Sequence, residues 1–346
     1  QIHKDEFVAM NEIDSIIGNK EKLESKTYKE IRESNDRINK VGDIFEHGQA
    51  ISPIIKKVEN RIRGFVQIQN GCDHRCTFCI IPYGRGDSRS VEPENVVNQI
   101  NTLLDQGYKE IVLTGVDLTS YGHDLENKPN LATLVSHILF SIPNLKRLRL
   151  SSLDVAEIDK NLMDLIKYEK RILPHIHLSL QAGDNMILKR MKRRHLRDDA
   201  ISVINEIRSV RSEVVFGADI IAGFPTENDE MFQNTVDLIE DCNITFLHIF
   251  PFSPREGTPA ARMPQVDRYI IKKRAKILRE IGKKKLLEYY DGLKNKKINV
   301  IVEDKGRGRS DTFAKVQIDN NLDNGQIVKM IVTGRNQVGL TGNIVV

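Results

Sequence analysis

From residue 61 onward the sequence alternates short β-branched runs with amphipathic stretches. No other feature narrows the available folds as much. Candidate strands lie at 63–69, 110–114, 147–151, 175–180, 214–221 and 246–250. The third is short and flanked by charge. Helical patterning fills the gaps at 93–106, 131–141, 159–167, 184–191, 198–210 and 227–242. In 131–141 the apolar residues Leu131, Leu134, Val135 and Ile138 recur at helical spacing. Six strands alternating with helices predict βα units and a parallel sheet, an α/β fold. The run Asp219-Ile220-Ile221-Ala222 suits a strand buried on both faces. The 346 residues are sized for two or three domains. With 40% hydrophobic and 29% charged residues, the chain is globular rather than disordered. No apolar run approaches the ~18 residues of a membrane-spanning helix.

The two flanks differ from this middle section. Residues 1–60 are polar, with helical composition at 5–10 and 21–37 and a break at Pro53 before Val58. They hold too few apolar positions for a core of their own. Residues 268–297 carry twelve Lys or Arg against three acids, a local net of +9. Ile271, Ala275, Leu278 and Ile281 form an apolar stripe there. Lys272, Lys273, Arg274, Lys276, Arg279, Lys283, Lys284 and Lys285 surround it, which predicts a basic amphipathic helix. Short strands at 298–303, 313–318, 326–332 and 342–346 follow, split by Gly, Asn and Asp, as in a small all-β barrel. Lys305, Arg307, Arg309 and Lys315 add positive charge to it.

The chemistry is concentrated in Asn70-Gly71-Cys72-Asp73-His74-Arg75-Cys76-Thr77-Phe78-Cys79. The spacing C-x3-C-x2-C follows the first predicted strand directly. Three thiolates on a tight loop suit three corners of a cubane iron–sulfur cluster, leaving the fourth iron open to a small molecule. Ordinary electron-transfer clusters take four cysteines. Zinc is the rival, but a structural zinc site wants four ligands, and His74 reaches it only with strain. Chance cysteines or a redox pair are the bland alternative. The fourth cysteine, Cys242, reads as a core thiol on a helix.

The three-cysteine motif after strand one of a six-strand βα array resembles the radical S-adenosylmethionine (SAM) superfamily. Over 63–339 the chain looks like the methylthiotransferases, and among them the bacterial branch that acts on tRNA N6-threonylcarbamoyladenosine. The strings that carry the likeness are Ile80-Ile81-Pro82-Tyr83-Gly84-Arg85-Gly86, Glu110-Ile111-Val112-Leu113-Thr114-Gly115-Val116-Asp117, His177-Leu178-Ser179-Leu180-Gln181-Ala182-Gly183 and Ala222-Gly223-Phe224-Pro225-Thr226-Glu227. The resemblance implies a partial (β/α)6 TIM-like radical SAM barrel over 61–282 and a TRAM-like RNA-binding barrel over 283–346. It implies that Cys72, Cys76 and Cys79 ligate a 4Fe–4S cluster whose open iron binds SAM. Backbone carbonyls of Thr114, Gly115 and Val116 would meet the cofactor's amino group. Ser179 and Gln181 would meet its ribose or amino acid moiety, and Arg193 its carboxylate. For each of these an ordinary turn or a solvated charge is the competing reading. His248 and Arg255 lie at the sixth strand and its loop, where a buried, satisfied histidine is the ordinary expectation. The implied partners are tRNA and a reducing electron donor protein, with no membrane, in the cytoplasm.

The sequence also departs from the family. Complete methylthiotransferases begin with a domain whose three further cysteines bind a second, sulfur-donating 4Fe–4S cluster. No cysteine precedes Cys72 here, and the chain opens on Gln1. Residues 1–60 are thus expected to be the remnant of that domain plus a linker. The expected consequence is cofactor cleavage without sulfur insertion by this chain alone. Three other readings stay open: a degenerate RNA-binding remnant, a methylthiotransferase of the isopentenyladenosine or ribosomal-protein branch, and a zinc-binding structural protein.

Overall fold

The computed structural model describes residues 1–34, 36–46, 61–304, 306–318 and 322–345. Pro53, Val58, Lys305 and Val346 lie outside the described residues. Six parallel strand positions form the central sheet: β1 (Arg63–Gln67), β2 (Glu110–Thr114), β3 (Leu148–Leu150, resumed at Ser152–Leu153), β4 (His175–Gln181), β5 (Val215–Ala222) and β6 (Phe246–Pro251). Neighbours in sequence pair in space, so β1 and β6 are the two free edges of a partial barrel. The weak third strand is real but broken at Ser151, where pairing passes from β2 to β4.

Helices α1 (Pro93–Asp105), α2 (Leu131–Ser141), α3 (Lys160–Tyr168), α4 (Arg197–Val210) and α5 (Asp229–Asp241) return the chain between strands. Pro93 begins α1, where a missing N–H costs nothing. Asn130, Asp159 and Asn228 accept backbone N–H bonds at the starts of α2, α3 and α5. The outward residues of each strand, such as Ile176, Leu178 and Leu180, join these helices in one apolar core. The inward residues are different in kind. On β4 they are His175, His177, Ser179 and Gln181.

Helix α6 (Arg268–Asp291) packs on β5 and β6 and runs into the terminal barrel. That barrel closes in the order β7 (Lys297–Asp304), β8 (Arg307–Ser310), β9 (Lys315–Gln317), β11 (Leu340–Val345), β10 (Ile327–Arg335). Strand β8 is absent from the sequence reading because Arg307-Gly308-Arg309-Ser310 has no apolar side chain. At the other end of the chain, Ser15–Ile17 and Ile38–Lys40 form a two-stranded parallel pair around the helix Ser25–Glu33. Among the described residues, no residue before Val66 joins an apolar core cluster.

The terminal barrel is locked into the floor of the large one. Glu110, fully buried, accepts from Arg147 Nε at 2.9 Å and Arg149 Nε at 2.6 Å. Both arginines then reach the loop after β8. Arg147 pairs with Asp311, and Arg149 donates to the carbonyls of Ser310 and Asp311 at 3.1 and 3.0 Å. Phe313 on that loop enters among Arg63, Arg149 and Arg309, whose guanidinium carbons lie 5.3, 5.0 and 4.1 Å from its ring centre. It also stacks on His175 at 4.9 Å. Burial, and then Arg149, lower the pKa of His175 far below that of an ordinary histidine, so it is neutral.

A Glu110→Gln substitution strands two buried guanidinium groups. It should lower unfolding stability by about 3–5 kcal/mol, measured by denaturant titration. Phe313→Ala should loosen the terminal barrel, read as faster amide exchange in β8 and β9.

Candidate functional site

The mouth of the large barrel lies at the carboxyl ends of its strands, where barrel enzymes place their chemistry. Gln69, fully buried just past β1, organises it. Its Nε2 donates to Gly71 O at 2.8 Å and Ser88 Oγ at 2.9 Å, and its Oε1 accepts from Asp117 N at 2.9 Å. One amide thus joins the cysteine loop to the loop after β2. Gly115 permits this approach, since a Cβ there would lie 2.9 Å from Gln69 Oε1. Gly71 has φ +78°, and a Cβ on it would meet Asp87 O at 1.9 Å.

Cys72, Cys76 and Cys79 are free thiols, partly exposed on this loop. Burial, and then Asp117, push the Cys72 thiol up to about 12. Asp117 Oδ2 lies 3.6 Å from Cys72 Sγ. A thiol so placed needs a bound cation to ionise. The loop is pinned beyond its cysteines as well. Thr77 Oγ1 donates to Arg190 O at 2.7 Å, Thr77 N to Met191 O at 3.1 Å, and Phe78 meets Phe224 edge-on at 6.4 Å.

His74 is engaged elsewhere. Its Nε2 is 2.8 Å from Asp117 Oδ2 and 3.5 Å from Glu157 Oε1. Hydrogen bonds to these two carboxylates push its pKa up to about 10. The same Nε2 lies 2.8 Å from Arg194 Nη2, so its partners are two carboxylates and a guanidinium rather than the thiols. The donors present therefore suit a three-thiolate cluster better than a four-ligand zinc site.

Arg193 bridges three strand ends. Its Nη2 donates to Asp154 Oδ2 at 2.9 Å and Ser179 O at 2.8 Å, and its Nη1 lies 3.9 Å from Cys76 Sγ. Burial alone would raise Asp154, but His195 and Arg193 hold it below the usual carboxylate range. Arg190, by contrast, is bound to Thr226 Oγ1 at 2.8 Å. Thr114 ends β2, and its carbonyl accepts from Ile68 N at 2.9 Å. The carbonyls of Gly115 and Val116 take no hydrogen bond among the described residues. Gln181 has φ +70° and centres a three-residue turn closed by Ala182 N to Leu180 O at 2.9 Å. That is a γ-turn of the strained hand. The side chains of Ser179 and Gln181 have no hydrogen-bond partner among the described residues, although Arg193 reaches the Ser179 carbonyl. Sequence reading missed Gln69, Asp117 and Asp154 as organisers. Gln69 carries little signal in the sequence, since Gln67 precedes it in the same run.

Residues 66–239 match the sequence family described as the Radical SAM superfamily. The chain belongs to the radical SAM superfamily. It is 48% identical over 325 residues to the threonylcarbamoyladenosine tRNA methylthiotransferase MtaB of Rickettsia prowazekii, a match covering 94% of this chain and 76% of that protein. The Aquifex aeolicus MtaB is 36% identical, over 96% of this chain and 81% of its own. The tRNA-2-methylthio-N(6)-dimethylallyladenosine synthase of Pelagibacter ubique is 32% identical, over 84% and 67%. Within the superfamily the chain is thus a methylthiotransferase. Membership implies a 4Fe–4S cluster and SAM. Cys242 is a core thiol in this methylthiotransferase, 1% exposed. His248 departs from expectation. Its side chain is 61% exposed, because β6 is an open edge. Arg255 is exposed on the following loop. Among the described residues, no helix is long and apolar enough to cross a membrane.

Replacing Gln69 with Leu leaves Gly71 O and Asp117 N without their partner, at about 1–3 kcal/mol for each group left buried. The variant should stay folded but melt earlier and retain less iron after reconstitution, read by calorimetry and iron assay. His74 supplies a pH test. A pKa raised from 6.5 to about 10 means its contribution to stability is full below about 6.5 and lost as pH rises through about 10. Ring NMR of the metal-free protein should show that midpoint, and Asp117→Asn should lower it.

Proposed function

We propose that this methylthiotransferase adds a methylthio group to carbon 2 of N6-threonylcarbamoyladenosine, next to the anticodon of tRNA. The observation that carries the reading is the 48% identity with the Rickettsia enzyme across nearly the whole chain. The three-thiol loop at the mouth of the barrel supports it chemically. Cys72, Cys76 and Cys79 would hold the cluster, which when bound supplies the electron that cleaves SAM to a 5′-deoxyadenosyl radical. Arg193, already aimed across the mouth, would take the SAM carboxylate, for which a guanidinium fork is suited. The free carbonyls of Gly115 and Val116, with that of Thr114, would accept from its amino group. The unpartnered Ser179 and Gln181 would hydrogen-bond its ribose or amino acid moiety.

The basic helix and terminal barrel would bind tRNA phosphates. Not every cation counted in the sequence is free for this. Arg274 is buried against Glu227 and Asp229, and Lys285 pairs with Glu240. Arg309 faces Phe313 and Glu303, and Arg307 pairs with Asp304. Lys272, Lys273, Lys276, Lys283, Lys284 and Lys315 are exposed, Lys276 and Lys284 with only long solvent-open contacts to Glu280 and Glu288 at 3.9 and 3.8 Å. A reducing protein would deliver the electron, in the cytoplasm. These 346 residues supply thiolates for one cluster. A second, sulfur-donating cluster would need ligands from outside them.

Anaerobic reconstitution with iron and sulfide should yield about four irons per chain and SAM cleavage to 5′-deoxyadenosine, without methylthiolated tRNA. A count near eight irons would refute the single cluster. Cys76→Ala should abolish both iron loading and cleavage. Lys283→Glu with Lys284→Glu should weaken tRNA binding and flatten its salt dependence. An unchanged slope would place the RNA elsewhere.

A further inference from the structure

Below the mouth, the lumen holds a polar row that none of the roles above uses. Asp219 on β5 stands between two imidazoles, with His177 Nε2 at 3.0 Å and His248 Nδ1 at 3.2 Å from its Oδ1. The two rings lie 4.7 Å apart. Gly217 makes room for the row, since a Cβ there would sit 2.6 Å from His177 Nδ1. His248 spends its Nδ1 on Asp219. Its Nε2 has no partner among the described residues, and the ring is mostly exposed.

The surroundings of the row say what kind of ligand fits. Phe313 closes the floor and touches both edges of the barrel, Arg63 on β1 and Phe246 on β6. One inward step above that floor stand Phe65 on β1 and His248 on β6, and a further step up β6 stands Phe250. Phe65 is 37% exposed and Phe250 51%. Phe65 carries the Arg63 guanidinium 5.8 Å from its ring centre, which leaves Phe250 as the open aromatic face one step above His248, suited to a planar base that carries a polar tail. The row rises toward β6. His177 lies four residues below Gln181, whereas Asp219 and His248 are level with each other, one residue below Ile220, which pairs with Gln181. His248 thus stands roughly 3 Å beneath that rim at ~3.3 Å per residue. On adenine, C2 and C6 lie across the six-membered ring. A base that presents C2 to the rim therefore turns its N6 substituent down into the lumen.

We propose that His248 recognises the carbonyl or carboxylate end of the N6 substituent of the substrate adenosine, with Asp219 and His177 holding its ring. The proposal rests on the substrate reading above and makes His248 a specificity-determining residue. It requires no cleavage or sulfur transfer, so equilibrium binding tests it on the full chain. The probes are anticodon stem-loop RNAs bearing N6-threonylcarbamoyladenosine, N6-isopentenyladenosine or plain adenosine at the same position. The wild-type chain should prefer the threonylcarbamoyl loop over the isopentenyl loop by about tenfold, the scale of one net hydrogen bond. His248→Phe should erase that preference, with an unfolding midpoint matching wild type showing that the variant is folded. His248→Gln, which keeps a donor, should retain most of it. A His248→Phe chain that keeps the preference overturns the proposal alone. A wild-type chain with no preference overturns the substrate reading, and the proposal with it. Equimolar Co2+ binding by wild type that disappears in His248→Phe would make the row a cation site and also overturn the proposal.

Discussion

A single carboxylate, Glu110, sets the lower boundary of everything above it. It has no access to water and is answered by two guanidiniums. Alone, each of these three charges would be costly to bury. Together they leave donor capacity pointing downward, and the terminal barrel meets it with Asp311 and two backbone carbonyls. Phe313 then seals the opening. The floor of the lumen is therefore built from both domains. The depth of the cavity above it follows from where that floor sits.

At the other end, a neutral amide does the corresponding work. Gln69 ties the cysteine loop to the end of β2, and Gly115 is small so that it can. Around that tie, Asp117, Glu157 and Asp154 meet His74, Arg194 and Arg193. The thiols thus sit among charges that already balance one another. Arg193 belongs to this network and to the rim at once, so its aim is fixed by Asp154 and Ser179 rather than by its own rotamers.

The βα array and the cysteine loop were legible in the sequence because both are local patterns. Strand, helix and spacing are each read within about a dozen residues. The floor was not legible, since Glu110, Arg147 and Asp311 are 37 and 164 residues apart. The lumen was half legible. The string His175-Ile176-His177-Leu178-Ser179-Leu180-Gln181 alternates polar and apolar, yet reads as a buried strand. Nothing in it says that the polar face looks into a barrel instead of solvent. The basic helix shows the same limit from another side. Arg274 and Lys285 share the helical face of Ile271, Ala275, Leu278 and Ile281, at spacings of three, four and seven. Counting charge along that helix overstated its free cations, whereas following its period would have set those two aside.

The plugged floor also bears on how such a protein can change over time. Here the loop around Phe313 is structural material of the larger barrel. A different module attached at α6 would leave Arg147 and Arg149 facing water, and the lumen open at both ends. The two domains are thus constrained to be inherited as a pair. Sequence change is steered toward the exposed strands of the small barrel and away from the loop that faces inward.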